Sequence, residues 1–394
     1  MDAIAVKRIR LESVDLLRGM VMIIMALDHV RDFFGRPGLS PTDLVNTTTS
    51  LFFTRWITHI CAPVFFLLTG TGAYLSLQRK SRSQLSRFLF KRGLWLIFLE
   101  LVVFRCFAWQ FNFDYRLTIF VVIWALGWAM VVLSVLVYLP DSLVTASGVV
   151  MIAGHNLLDR VQSVSFGRLA PVWTVLHAPN LVVANPRHLV FAAYPLIPWL
   201  GVTAAGYGLG RVFRWAAERR KAFLLRLGFG LTTAFVLLRA INVYGDPVPW
   251  TVQKSAVFTA VSFLNTTKYP PSLLFLLMTL GPAMLLLGVF NDRTPGFLRP
   301  ALIFGRVPLF YYGLHAALIH LLAVAVCYER YGRVHWMFES PGLSQYPITP
   351  PPGWGFSLFT IYLIWAFVVI ALYPLCRWFA ALKGRRSDAW LSYL

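Results

Sequence analysis

Residues 13–34 read SVDLLRGMVMIIMALDHVRDFF, an apolar run long enough to cross a bilayer as a helix, yet charged where a plain anchor carries no charge. Arg18 and His29 stand eleven residues apart in it. At about 100° per residue that is three turns plus about 20°, so both leave one face, about 16 Å apart along the axis. Met22 and Met25 fill the stripe between them. Asp32 follows His29 by one helical turn and Asp28 sits beside it, which puts carboxylates within reach of an imidazole. An ionisable side chain inside a bilayer costs about 3 kcal/mol on insertion scales, so it faces a cavity or a partner. This face is the first candidate for a site.

The rest of the chain supports the membrane reading. Of 394 residues, 58% are hydrophobic and 13% charged, and mean hydropathy is +0.66; that composition belongs to polytopic membrane proteins and lies outside the globular range. The net charge of +20 sits in short basic segments between apolar runs, which is a topology signal and speaks against a nucleic-acid partner. Cys61, Cys106, Cys327 and Cys376 each lie in an apolar run without CxxC or CxxxH spacing, so neither a disulfide nor a bound metal is expected. The first hydrophobic run is too long for a signal-peptide core and lacks a clear small-residue cleavage site, so it is read as retained.

Taken in order, 1–12 is a basic lead (Lys7, Arg8, Arg10), placed in the cytoplasm by the positive-inside rule. The first helix then runs outward to a polar loop over 35–50. A second helix returns over 51–77 with Arg55 and His59 on it, and its Gly70 and Gly72 suit close packing against a neighbour. The basic stretch 79–92 marks an inner loop. Helices are expected over about 93–111, 117–139 and 141–157, then an outer proline- and aromatic-rich segment over 158–190. A sixth helix over 192–212 is broken by Pro195 and Pro198, and a seventh covers about 223–243. The stretch 251–269 is mixed and ends in NTTKYPPS, followed by helices over about 271–290, 301–328 and 355–376 and a cytoplasmic tail over 377–394. The expectation is one all-α transmembrane domain over 1–394: a polytopic helical bundle of about ten transmembrane helices, both termini cytoplasmic, in the inner (plasma) membrane.

No soluble catalytic signature is present: no GxSxG, no P-loop, no HExxH. What the chain shows is a depth pattern. Arg18 and Arg306 lie near the inner ends of outward-running helices, while His29, His59 and His320 lie in the outer half. A membrane enzyme taking an anionic donor from inside needs that polarity, with cations on the phosphates and a base further along. A lone membrane His is more often a helix-to-helix hydrogen-bonding group, and a lone Arg a snorkelling anchor. For His29, with Asp32 or Asp28 near and Arg18 in line, the functional reading is favoured. His59, His320 and Asn265 are candidate acceptor contacts. Lys268 is a candidate for the donor or acceptor head group. Glu100 needs a partner, which Arg105 or Arg239 supplies in this reading. His315 and His320, five apart, do not share a face. Two rivals remain: a proton-coupled transporter or flippase of an anionic solute, and a haem carrier pairing His59 with His320.

SVDLLRGMVMIIMALDHVRDFF with GLSPTDLV and CAPVFFLLTGTGAYLSL resembles the catalytic domain of heparan-alpha-glucosaminide N-acetyltransferase and its bacterial relatives. Arg18 with His29 also matches the Arg-x10-His signature of acyltransferase-3-like membrane enzymes. RGLWLIFLEL, IAGHNLLD and FGRVPLFYYGLHAALIHLLA are similar to bacterial members. The resemblance implies a membrane enzyme that passes an acyl group, usually acetyl, from cytoplasmic acyl-coenzyme A to a hydroxyl or amine of a glycan or other envelope acceptor. His29 is then the base or an acyl carrier, helped by Asp32 or Asp28, and Arg18, Arg306 and Lys268 hold the donor. The chain departs from the heparan enzyme, which has Asn at the position aligned with His29 and a His in the following loop, where this chain has FFGRPG. The partners implied are the lipid bilayer, acyl-coenzyme A and the acceptor, with a homodimer left open.

Overall fold

The computed structural model describes residues 11–386 together with 388, 391 and 393; Lys7, Arg8 and Arg10 of the basic lead lie outside the described residues. The chain is predominantly helical. Helix α1 spans Glu12–Phe34, within a residue of the run that defined it. It packs against α2 (Thr49–Ser76), α11 (Arg299–Arg306), α12 (Pro308–Tyr331) and α13 (Leu358–Arg385). The other helices are α3 (Arg82–Phe98), α4 (Val122–Leu136), α5 (Asp141–Gly154), α6 (Ala170–Leu176) and α7 (Leu196–Leu209). After them come α8 (Ala217–Ile241), α9 (Ala256–Leu264) and α10 (Leu273–Val289).

Four described helices are long and apolar enough to cross a membrane: α2, α8, α12 and α13. The shorter α4 and α10 are equally apolar. On α8 and α13, large apolar side chains such as Phe229 (69% exposed) and Ile370 (71% exposed) stand outward, as they do where the surrounding solvent is lipid. The apolar part of α2, by contrast, is mostly inside the protein. The chain is therefore a helical membrane protein.

Local chemistry explains the helix starts. Thr48, Ser255, Ser272 and Ser357 each accept a hydrogen bond from a backbone N–H in the first turn of α2, α9, α10 and α13, which satisfies donors the helix leaves orphaned. Ser81 and Gln84 form a reciprocal capping box on α3. That cap starts α3 at Arg82, so Arg87, Lys91 and Arg92 ride on a helix and not, as expected, in a loop. In α7, Pro195 is the N-cap and Pro198 lies in the first turn. Neither breaks the helix, because first-turn residues have no intrahelical N–H bond to lose.

Two further expectations need correction. The first is the all-α class. A small sheet joins β1 (Leu117–Phe120), β3 (Leu189–Ala192) and β2 (Asn180–Ala184) in the order β1-β3-β2, parallel between β1 and β3 and antiparallel between β3 and β2. Residues 117–120 are thus a strand, and the expected helix over 117–139 begins only at Val122. Non-helical segments beside a bilayer must still pair their N–H and C=O groups, and the sheet does that. The second is the helix expected over 301–328. Val307 leaves helical geometry (φ −133°, ψ 48°) and Pro308 starts a new helix, so Arg306 ends α11 and the histidines belong to α12.

Close approach is set by glycine. A Cβ on Gly19 would lie 1.8 Å from the Ala301 carbonyl oxygen, and one on Gly305 1.8 Å from that of Asp15, so α1 and α11 touch backbone to backbone. Gly70 does the same for α2 on α7, where a Cβ would meet Thr203 O at 1.9 Å. Gly72 meets nothing within 4 Å and opens onto a cavity instead. Gly305→Val must push α1 off α11, with an overpacking cost of about 1–3 kcal/mol or more. The expected result is a Tm several degrees lower and less monodisperse protein by size-exclusion chromatography, while Gly154→Ala, with nothing within 4 Å, stays near wild type.

Candidate active site

The charged face of α1 looks into two cavities. The first, about 720 Å³, is lined by six cations, Arg18, Arg79, Lys80, Arg92, Arg306 and Lys383, with no carboxylate among its described lining residues. Arg18 Nη1 is held 3.1 Å from Asp15 Oδ1 and 3.1 Å from Gly305 O, so the glycine contact of α1 with α11 also aims its guanidinium. Arg306 Nε is buried without a hydrogen-bond partner. The second cavity, about 520 Å³, is bounded by His29, Asp28, Arg31, Arg55 and Lys268 and by the rings of Trp109, Tyr194, Tyr269, Tyr312 and Tyr346. Met25, Phe65, Val122 and Tyr312 line both. They form a shared wall, or collar, between the two spaces, with Arg18 lining one and His29 the other.

His29 does not meet a carboxylate. Its Nδ1 lies 2.7 Å from His315 Nε2, and the two rings meet edge to edge, with centroids 4.9 Å apart and planes 8° from parallel. His315 Nδ1 in turn lies 2.8 Å from the Tyr311 carbonyl oxygen. A carbonyl only accepts, so for two neutral imidazoles the tautomers follow. His315 Nδ1–H donates to Tyr311, its Nε2 accepts from His29 Nδ1–H, and His29 Nε2 is left with a lone pair. Trp109 meets the His29 ring edge-on at 4.8 Å and Tyr312 at 6.0 Å. Trp109 is delivered by a π-helical stretch, Leu99–Trp109, that continues α3; such stretches often shape sites.

The carboxylates are engaged elsewhere. Asp28 Oδ2 accepts from Arg55 Nη1, and Asp28 Oδ1 sits 2.9 Å from Arg31 Nη2, an ion-pair distance without hydrogen-bond alignment. Arg31 Nη2 also donates to Asp32 Oδ1 at 2.5 Å. The expectation that Asp32 or Asp28 holds His29 is thus corrected: a guanidinium, always charged, outcompetes a neutral imidazole for a carboxylate. Glu100 likewise does not pair with Arg105 or Arg239, and its Oε2 is buried without a partner. Arg105 bonds the carbonyls of Asn112 and Leu117.

Arg239 bonds four carbonyls, those of Val248, Ser262, Phe263 and Asn265. Beside it Asp246 accepts from Thr267 N at 2.8 Å and from Ser272 Oγ at 2.6 Å. Together they fix the turn that presents Lys268 to the second cavity, where its ammonium lies 5.1 Å from the Tyr269 ring centre. Lys268 therefore does not join Arg18 and Arg306.

Three other candidates stand apart. Asn265 donates to Thr42 O at 3.0 Å and ties two loops. His59 is buried with its ring 5.2 Å from that of Phe275. His320 places its two ring nitrogens on the carbonyls of Ala108 (3.1 Å) and Met337 (2.8 Å) and stacks on Phe111. His59 and His320 do not meet, so the haem pairing has no geometry here. Among the described residues no three His, Cys, Asp or Glu side chains converge as metal ligands do. Sequence reasoning missed His315, Arg31 and the aromatic walls. His315 stands 286 positions from His29, and no local pattern links them.

The fold and site define a class: a membrane-embedded helical protein with a basic and an aromatic cavity that share one wall. The chain belongs to the heparan-alpha-glucosaminide N-acetyltransferase catalytic family, whose sequence pattern matches residues 10–244, more than half its length. Membership supports a membrane acetyltransferase-like activity. Comparison with curated proteins finds no match. The matched stretch supplies Arg18 and His29, whereas Lys268, Arg306, Tyr312 and His315 lie beyond it.

Proposed function

We propose that the protein transfers an acyl group, acetyl in the simplest case, from cytoplasmic acyl-coenzyme A to a hydroxyl or amine of an envelope glycan. The observation that carries this is the collar of Met25, Phe65, Val122 and Tyr312: a basic cavity opens on one side of it and His29 stands on the other. The chain would act as one transmembrane domain of about ten spans with both termini in the cytoplasm of a cell whose plasma membrane it crosses, which puts the basic cavity on the donor's side. Arg18 and Arg306 bind donor phosphates, and the thioester reaches through the collar to the second cavity, where the acceptor lies.

There the acceptor oxygen or nitrogen attacks the thioester carbonyl while His29 Nε2 takes its proton. The bond from carbonyl carbon to sulfur breaks, coenzyme A leaves as thiolate, and the proton then passes from His29 to the thiolate as free thiol or to water. His315 orients the base by accepting from His29 Nδ1, as a carboxylate does in other base pairs. Asp28 and Asp32 act one step back, holding Arg31 and Arg55 at the acceptor cavity.

In proteoliposomes, purified protein given acetyl-coenzyme A and envelope glycans should release free thiol and label the glycan. Movement of an intact anion with no thiol released would replace this reading with the transporter. For Arg18→Ala and Arg306→Ala the expected result is a KM for acyl-coenzyme A raised about tenfold or more each, with kcat little changed, because a charge-assisted phosphate contact is made in ground and transition states alike. An unchanged KM in both variants would move the phosphates to other cations of that cavity.

A further inference from the structure

From the charge balance of the aromatic cavity we infer that the acceptor is an acidic sugar, one carrying a compact anion, carboxylate or phosphate, that Lys268 binds. The inference rests on the acyltransfer reading only in calling the ligand an acceptor. Three cations, Arg31, Arg55 and Lys268, face two carboxylates, Asp28 and Asp32. Arg31 pairs with both carboxylates and Arg55 with Asp28. Lys268 has no carboxylate within ion-pair distance among the described residues. Arg31 Nη1 is buried with no hydrogen-bond partner, a donor still to be satisfied. With His29 neutral, the cavity holds one uncompensated positive charge. Such a charge is costly in a recess of low polarity and is relieved by a bound anion.

Lys268 is also held in place, as a lipid anchor need not be. Its backbone bridges to Pro271, and the residue before it is tied to Asp246 through both N–H and hydroxyl. An ammonium is a point charge suited to a compact anion. The rings of Trp109, Tyr194, Tyr269 and Tyr346 line the same space and offer flat apolar faces to the C–H face of a sugar.

The test is equilibrium dialysis of labelled glucuronate, glucose 6-phosphate and glucose against the full-length protein in lipid nanodiscs. Wild type is expected to bind at least one of the two acidic sugars about tenfold or more tightly than glucose. In Lys268→Gln that preference falls to about threefold or less, and Lys268→Arg retains most of it. The two acidic arms separate carboxylate from phosphate. Equal binding of all three sugars by wild type, absence of binding, or a preference unchanged in Lys268→Gln overturns the inference. Thiol release from acetyl-coenzyme A in the same nanodiscs reports separately on acyl transfer, so an anion preference without thioester cleavage removes the reaction and keeps the site.

Discussion

His29→Ala is expected to lower kcat by about 10²- to 10⁴-fold, with the KM for acyl-coenzyme A within about twofold of wild type and the protein inserted and monodisperse. The reason is positional. His29 borders the aromatic cavity but not the basic one, so under the proposed reading its loss removes a proton acceptor without touching the phosphates. Its ring is half-buried at the cavity wall, and the space left by truncation adjoins an existing cavity, which limits the structural damage. The measurement is steady-state thiol release in proteoliposomes, with donor and acceptor varied separately. A kcat near that of wild type would remove His29 from the reaction.

The second large effect is expected at His315, which lines neither cavity and touches no substrate in this reading. His315→Leu leaves His29 Nδ1–H without its acceptor, a loss of about 1–3 kcal/mol for a buried donor. If that orientation matters to the transition state, kcat falls by about 10- to 100-fold. His315→Gln places an amide oxygen where Nε2 was and restores much of the rate. A merely structural role predicts instead that activity follows stability, so the melting temperature is measured beside kcat in both variants. Rescue by Gln with no recovery of Tm marks a positioning residue, whereas equal activity in Leu and Gln variants removes the orienting role.

How far the site could be read before the fold was known varies residue by residue. Arg18 and His29 sit on one helix, and a period of 3.6 is enough to place them on one face with Met22 and Met25 between; Met25 does line both cavities. Arg306 reached the same cavity as Arg18 from its depth near a helix start, although the helix assumed for it is two helices. Depth was a poor guide for His59 and His320. His315, more than a turn away from His320 on α12, is the one that meets His29, because the break at Val307 and the packing of α12 on α1 set which residues come level. For Asp28 the local sequence offers both an imidazole, His29, and a guanidinium, Arg31 at i+3, and only the fold shows a second guanidinium. Arg55 arrives from another helix, and in a nonpolar setting the permanent charge wins.

Composition and hydrophobic periodicity by themselves determined that this is a helical membrane protein, where its first helix runs, and that this helix carries ionisable groups along one face. These are local properties, decided by whether a segment of some twenty residues leaves water and how its backbone is satisfied there. Only the tertiary structure decided which charges pair over long range, that two imidazoles share a hydrogen bond across 286 positions, that a small sheet lines the second cavity through Ile119 and Phe191, and that Lys268 belongs with His29 and not with Arg18. Contacts of that range depend on backbone approach through Gly19 and Gly305 and on the helix break at Val307, and no single segment contains the information that sets them.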